Sequence, residues 1–156
     1  QMAMMMSQEH HATLIDFTAM TWDAFLIPES WMFKLVDSGV RRQLNQTEFG
    51  TSVDSSALQR HVTEENRRVR QALDSTPIEL GTLLNASHAS LQSIGVSTPE
   101  VDALVSKLQA TPGVLGARMM GGGFGGMILI AVNDPEVVPD APLLKPSRGG
   151  FLEESL

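Results

Sequence analysis

From Gly116 to Val132 the chain reads Gly-Ala-Arg-Met-Met-Gly-Gly-Gly-Phe-Gly-Gly-Met-Ile-Leu-Ile-Ala-Val, five glycines in six residues running directly into an apolar segment. Glycine takes positive φ without penalty and lets another backbone or a ligand come close, so this loop limits the fold more than any other stretch. The residues after the glycines decide its type. A P-loop needs Lys and then Ser or Thr there, with a helix whose N-terminus faces the phosphates. A dinucleotide fingerprint also needs a helix at that point. Met127-Ile-Leu-Ile stands there instead, and a continuous apolar, β-branched run reads as a strand. Both familiar cradles fail, leaving a wide turn between the strands Val114–Met119 and Met127–Val132.

The remaining elements are legible from pattern. Ala12–Phe17, Ala24–Ile27 and Met32–Val36 are short apolar runs separated by turn-prone residues, which predicts three successive strands in a meander or hairpins. Leu58, Val62, Val69 and Leu73 then repeat at helical spacing, with Ser56 and Gln59 as a capping box. Thr76-Pro-Ile-Glu79 opens a second helix with an apolar face of Leu80, Leu83, Leu84, Leu91 and Ile94. Ser97-Thr-Pro-Glu100 opens a third, through Val101, Leu104, Val105 and Leu108, which Thr111-Pro-Gly113 stops. A Pro-rich stretch from Pro135 to Pro146 precedes a last short strand near Leu143. Strands, helices and strands again predict an α+β fold, a largely antiparallel sheet with three helices on one face.

Composition narrows the function. With 156 residues and 42% hydrophobic content, one domain spanning residues 1–156 is the expectation. A net charge of −7 disfavours nucleic acid, whose binding rests on clustered Lys and Arg. There is no Cys, hence no thiolate nucleophile, Cys-ligated metal or disulfide. No apolar run approaches the roughly 20 residues of a membrane span, and the Met-rich start lacks the features of a signal peptide, so a cytoplasmic chain is expected.

Longer stretches resemble a known family. Gly116–Gly126 closely resembles the third signature motif of galactokinases, members of the superfamily that also holds homoserine, mevalonate and phosphomevalonate (GHMP) kinases. Val36-Asp-Ser-Gly-Val-Arg41, His61–Val69 and Leu83–Leu91 resemble further stretches of that family in the same order. The resemblance implies the ferredoxin-like C-terminal domain of a GHMP kinase. It also implies transfer of the γ-phosphoryl of ATP, with Mg²⁺, to the anomeric hydroxyl of a sugar such as galactose. Gln1-Met-Ala3 is similar to a family segment in which the catalytic Asp would sit one residue before Gln1. No catalytic residue is therefore expected in this chain, nor is the loop that holds ATP and Mg²⁺. The isolated chain is expected to be inactive, its partner being an N-terminal half. In this reading Met120, Gly121, Gly122, Gly123, Gly125 and Gly126 line the cleft.

Two departures bear on substrate. Phe49 stands where the family has a Tyr whose hydroxyl contacts the sugar, and Met120 stands where Thr is usual. Both replacements would also suit a non-catalytic sensor or regulator on the same scaffold, or a stand-alone α+β interaction module. A domain parted from its other half should expose apolar surface, so self-association is expected. Other residues have plainer readings. His10 and His11 point to opposite faces of a strand, which makes a metal pair improbable. His61 with Glu65, and the run Glu64–Arg68, read as a solvated helix surface. His88 lies beside an apolar face and reads as a half-buried, hydrogen-bonded histidine. Asp16 and Asp37 fit strand-end turns.

Overall fold

The computed structural model describes residues 6–41 and 55–147. The elements run β1 (His11–Asp16), β2 (Thr21–Leu26), β3 (Met32–Asp37), α1 (Ser55–Ala72), α2 (Pro77–Ser93), α3 (Pro99–Gln109), β4 (Val114–Met119) and β5 (Met127–Val132). They fall into two compact units, one holding β1 and β2, the other spanning Ser30–Leu143.

In the first unit β1 and β2 form an antiparallel hairpin in which Leu14 faces Asp23. Asp16 forms the turn as its position predicts, its Oδ1 accepting from the amides of Thr18 and Ala19. The predicted meander stops there. β3 belongs to the second unit, where it pairs antiparallel with β5 in a three-stranded sheet of order β3-β5-β4. Ile27-Pro28-Glu29-Ser30 separates the two, and a proline cannot donate to a ladder.

One face of the second sheet makes the core. Ile128, Ile130 and Val132 alternate along β5 beside Ala117 and Met119 of β4, and Leu91, Val101, Val105 and Leu108 pack on them from α2 and α3. Burying such side chains contributes roughly 1.5–3 kcal/mol each for the larger ones. Thr76 caps α2 with the full reciprocal box, its Oγ1 accepting from the Glu79 amide while Glu79 accepts from the Thr76 amide. Thr98 caps α3 and Pro99 follows at its first position. The antiparallel strands and three helices make the α+β fold the sequence predicts.

Helix α2 meets β4 at a backbone-to-backbone contact. A Cβ on Gly116 would lie 2.6 Å from Gly81 Cα, and a Cβ on Gly81 would fall on the Leu115 carbonyl and 2.8 Å from Leu115 Cβ. That closeness brings side chains to the outward groups of β4. Asn85 Oδ1 accepts from the Ala117 amide at 2.9 Å, and Gln109 Nε2 donates to the Ala117 carbonyl at 3.1 Å. His88 Nδ1 accepts from the Met119 amide at 3.4 Å.

Helix α1 packs on α2 the other way round from the prediction. Leu58, Val62 and Val69 are 45%, 54% and 46% exposed, and none of its side chains is fully buried. His61, Glu65 and Arg68, one helical stripe, face inward instead. His61 Nδ1 meets Ser90 Oγ at 2.8 Å, and Ser87 Oγ donates to Glu65 Oε2 at 2.7 Å. Arg68 bonds both Glu64 and Glu65, and Arg118 of β4 lies 3.6 Å from Glu65. Glu64, Asn66 and Arg67 of this run are exposed, as the sequence predicts, whereas His61, Glu65 and Arg68 are not part of a solvated surface. Their hydrogen-bond partners lie on the neighbouring elements, which makes partial burial of these polar groups tolerable.

On β3, Lys34 is 2% exposed, opposite Ile130 on the core face. Its Nζ donates to the Val138 carbonyl at 3.1 Å. Lys34 also bridges Leu143, which is all that remains of the predicted last strand. Among the described residues no helix is long and apolar enough to cross a membrane.

Candidate functional site: the glycine loop

Residues 120–126 join two antiparallel strands, so the loop is a wide turn. The Met120 amide donates to the Met127 carbonyl at 2.9 Å and closes its base. Beyond that bond the loop is held by two carbonyls from elsewhere in the unit. Phe124 N donates to Val96 O, in the α2–α3 connection, at 2.9 Å, and Gly126 N donates to Val40 O, just after β3, at 3.0 Å. Ser38 N in turn donates to Gly126 O.

The two buried glycines are required by these docking points. Gly123 has φ +90 and a Cβ there would lie 2.6 Å from Val96 O; Gly125 has φ +130 and a Cβ would lie 2.5 Å from Val40 O. Any side chain at either position would displace the loop from its support. Phe124 takes φ 61 between them, an uncommon conformation for a residue of its size. Gly121, Gly122 and Met120 are exposed, Met120 to 41%.

The segment that supplies Val40 is itself braced. Arg41 makes a two-pronged pair with Asp37, at 2.8 and 2.7 Å, and Gly39 N donates to Asp37 Oδ1 at 2.9 Å. These bonds hold the Asp37 carboxyl down at about 2, the Arg41 guanidinium foremost. Asp37 thus does more than form a turn.

Of the residues singled out in the sequence, the structure brings Met120 and the five glycines together in one loop. Phe49 lies outside the described residues. His10 has Glu9 beside it at 3.7 Å, and among the described residues no three His, Asp or Glu side chains converge to hold a metal ion. His88 is more buried than predicted, 3% exposed, and Arg118 anchors the loop's entry by donating from Nε to Met119 O. The docking carbonyls of Val40 and Val96 carry no sequence signal, because any residue presents the same backbone oxygen.

This combination has known counterparts. Residues 69–141 match the family described as GHMP kinases C terminal. Structurally the chain is similar to the Lactococcus lactis galactokinase complexed with galactose, with a TM-score of 0.72 and 21% identity over 91% of this chain and 52% of that one. It is also similar to the L. major mevalonate kinase in complex with R-mevalonate, with a TM-score of 0.62, 20% identity and coverage of 83% and 47%. The chain carries the C-terminal domain of the GHMP kinases. Within that superfamily it is galactokinase-like. It is 33% identical to the galactokinase of Thermotoga maritima over 83% of this chain and 47% of that protein. It is 43% identical to that of Exiguobacterium sibiricum over 61% and 27%. It thus spans about half or less of the length of these curated relatives.

Proposed function

We propose that this chain is the C-terminal part of a sugar kinase that transfers the γ-phosphoryl of ATP to the anomeric hydroxyl of galactose or a close relative. The observation that carries the reading is the glycine loop, fixed in one shape by Val40 and Val96 within a stretch that galactokinases share along most of this chain. Phosphoryl transfer depends chiefly on positioning and on charge stabilisation. When bound, ATP with Mg²⁺ supplies the phosphoryl group and offsets its charge. The loop carries no charged side chain. Base, metal site and phosphate-holding loop are assigned to an N-terminal half.

The contribution of this chain is then a rigid wall. The buried glycines seat the loop on the domain, while Met120, Gly121 and Gly122 stay exposed to line the cleft. By the family resemblance Phe49 takes the place of a Tyr that contacts the sugar, and it has no hydroxyl to offer that hydrogen bond.

Assay of the full reading frame and of the 156-residue chain, side by side, for sugar 1-phosphate from ATP and a panel of hexoses tests this. Turnover by the full protein and none by the chain alone is the expected result. Turnover by the chain alone, or none by the full protein with any hexose, overturns the proposal.

A further inference from the structure

His88 meets the strand that enters the glycine loop and, through Asp102 and Ser97, is linked to the turn that presents the Val96 carbonyl. It sits on α2, 3% exposed, and its Nδ1 accepts from the amide of Met119, the last residue before the loop. An amide can only donate, so Nδ1 must carry the lone pair and the ring proton must sit on Nε2. That nitrogen is buried, forms no well-aligned hydrogen bond and lies 3.3 Å from Asp102 Oδ1 on α3. Asp102 Oδ1 in turn accepts from Ser97 Oγ. Ser97 follows Val96, whose carbonyl holds Phe124 at the centre of the loop. One ring therefore links the loop's entry strand to the turn on which the loop rests.

We propose that His88 is a positioning residue that seats the glycine loop only while its imidazole is uncharged. A second proton has nowhere to go but Nδ1. It would set two donors, the ring N–H and the Met119 amide, against each other inside the core. The Met119 bond is then lost, and the entry to the loop is freed from α2. Two charged groups face the ring, Asp102 from α3 and Arg118 from β4. Burial keeps the ring's pKa below its ordinary 6.5; Asp102 opposes that and Arg118 adds to it. The unfolded chain therefore takes up a proton below about pH 6.5 that the folded chain resists, and seating weakens as pH falls through that range. The catalytic consequence rests on the sugar-kinase reading; the seating itself does not.

Nuclear magnetic resonance of the ¹⁵N-labelled chain, titrated from about pH 8 to about pH 5, tests the proposal without any activity. His88 should show the Nε2–H tautomer at the alkaline end. The amides of Met119 and residues 121–126 should shift with the midpoint of its protonation, below the ordinary 6.5. His88→Asn keeps an acceptor near Nδ1 and removes the titration, so its loop amides should stay constant across the range. Asp102→Asn keeps the shape and removes the charge that favours protonation, so the midpoint should fall. An Nδ1–H tautomer at the alkaline end overturns the proposal. So does His88 titrating without moving the loop amides, or a folded His88→Asn chain whose loop still shifts. If His88→Asn does not fold, an unmoved midpoint in Asp102→Asn overturns it alone. A parent without kinase activity whose loop follows His88 would sink the proposed function and leave this inference standing.

Discussion

Gly81→Ala separates two physical effects that differ in sign. Gly81 lies inside α2, where intrinsic helix propensity favours Ala over Gly by about 1 kcal/mol. The structure predicts the opposite outcome. The new Cβ would fall on the Leu115 carbonyl and 2.8 Å from Leu115 Cβ, where ordinary contact begins at 3.4 Å. The nearest obstacle is backbone, the Leu115 oxygen at 2.2 Å, so α2 must retreat by about 1.2 Å to bring it to 3.4 Å, and overpacking of this kind costs about 1–3 kcal/mol. The same retreat stretches the 2.9 Å bond from the Ala117 amide to Asn85 beyond useful range. A buried amide left unpaired costs about 1–3 kcal/mol more. The net expectation is a destabilisation centred on about 3 kcal/mol, or a fall of roughly 1.5 M in the urea midpoint at a slope of about 2 kcal/mol per M. Urea unfolding followed by circular dichroism at neutral pH measures it. Gly95→Ala serves as the control, since its φ is +72 but nothing lies within 4 Å of the added Cβ. It should cost about 1 kcal/mol from backbone strain alone. A Gly81→Ala midpoint equal to or above the parent's refutes the close-approach argument.

Three more outcomes are expected. Lys34→Met replaces a buried ammonium that has one carbonyl partner with a side chain of similar length, so the thermal midpoint should hold or rise; Lys34→Ala should lower stability by about 2–4 kcal/mol. In a carboxyl titration by magnetic resonance, Asp37 should ionise at about 2. Its stabilising contribution is present above the ordinary value of 3.8 and lost as pH falls toward 2; Arg41→Gln should move the titration back up toward 3.8. Changing Leu58, Val62 and Val69 together to Gln should leave the fold's far-ultraviolet signal intact while abolishing any concentration-dependent association seen by sedimentation; association that persists unchanged shows that this stripe is not the contact.

Where the controlling interaction is local, the sequence displays it. The caps at Thr76 and Thr98 and the turn at Asp16 depend on neighbours within three residues, and each lies where its pattern indicates. The strand after the glycines is legible for the same reason, as a short apolar β-branched run. Helix α1 is misread because periodicity tells which residues share a face and not which face turns inward. Glu65 and Arg68 turn inward because Ser87 and Arg118, 22 and more residues away, satisfy Glu65. Gly81 and Gly116 need each other across the chain, and neither advertises that by itself. The pattern places His88 beside the core, but the Met119 amide that fixes its tautomer is invisible in sequence. For the site, the loop and its residues are readable, while the Val40 and Val96 carbonyls that shape it are not.

The side chains of Asn85, Gln109 and His88 occupy the outward hydrogen-bonding groups of β4 at Ala117 and Met119. A strand from another molecule could pair there only by first prising α2 away from the Gly81–Gly116 contact. This border of the sheet is therefore closed to strand addition, the usual route by which open sheets template aggregates. The exposed aliphatic side chains Leu58, Val62 and Val69 lie on α1 rather than along that border.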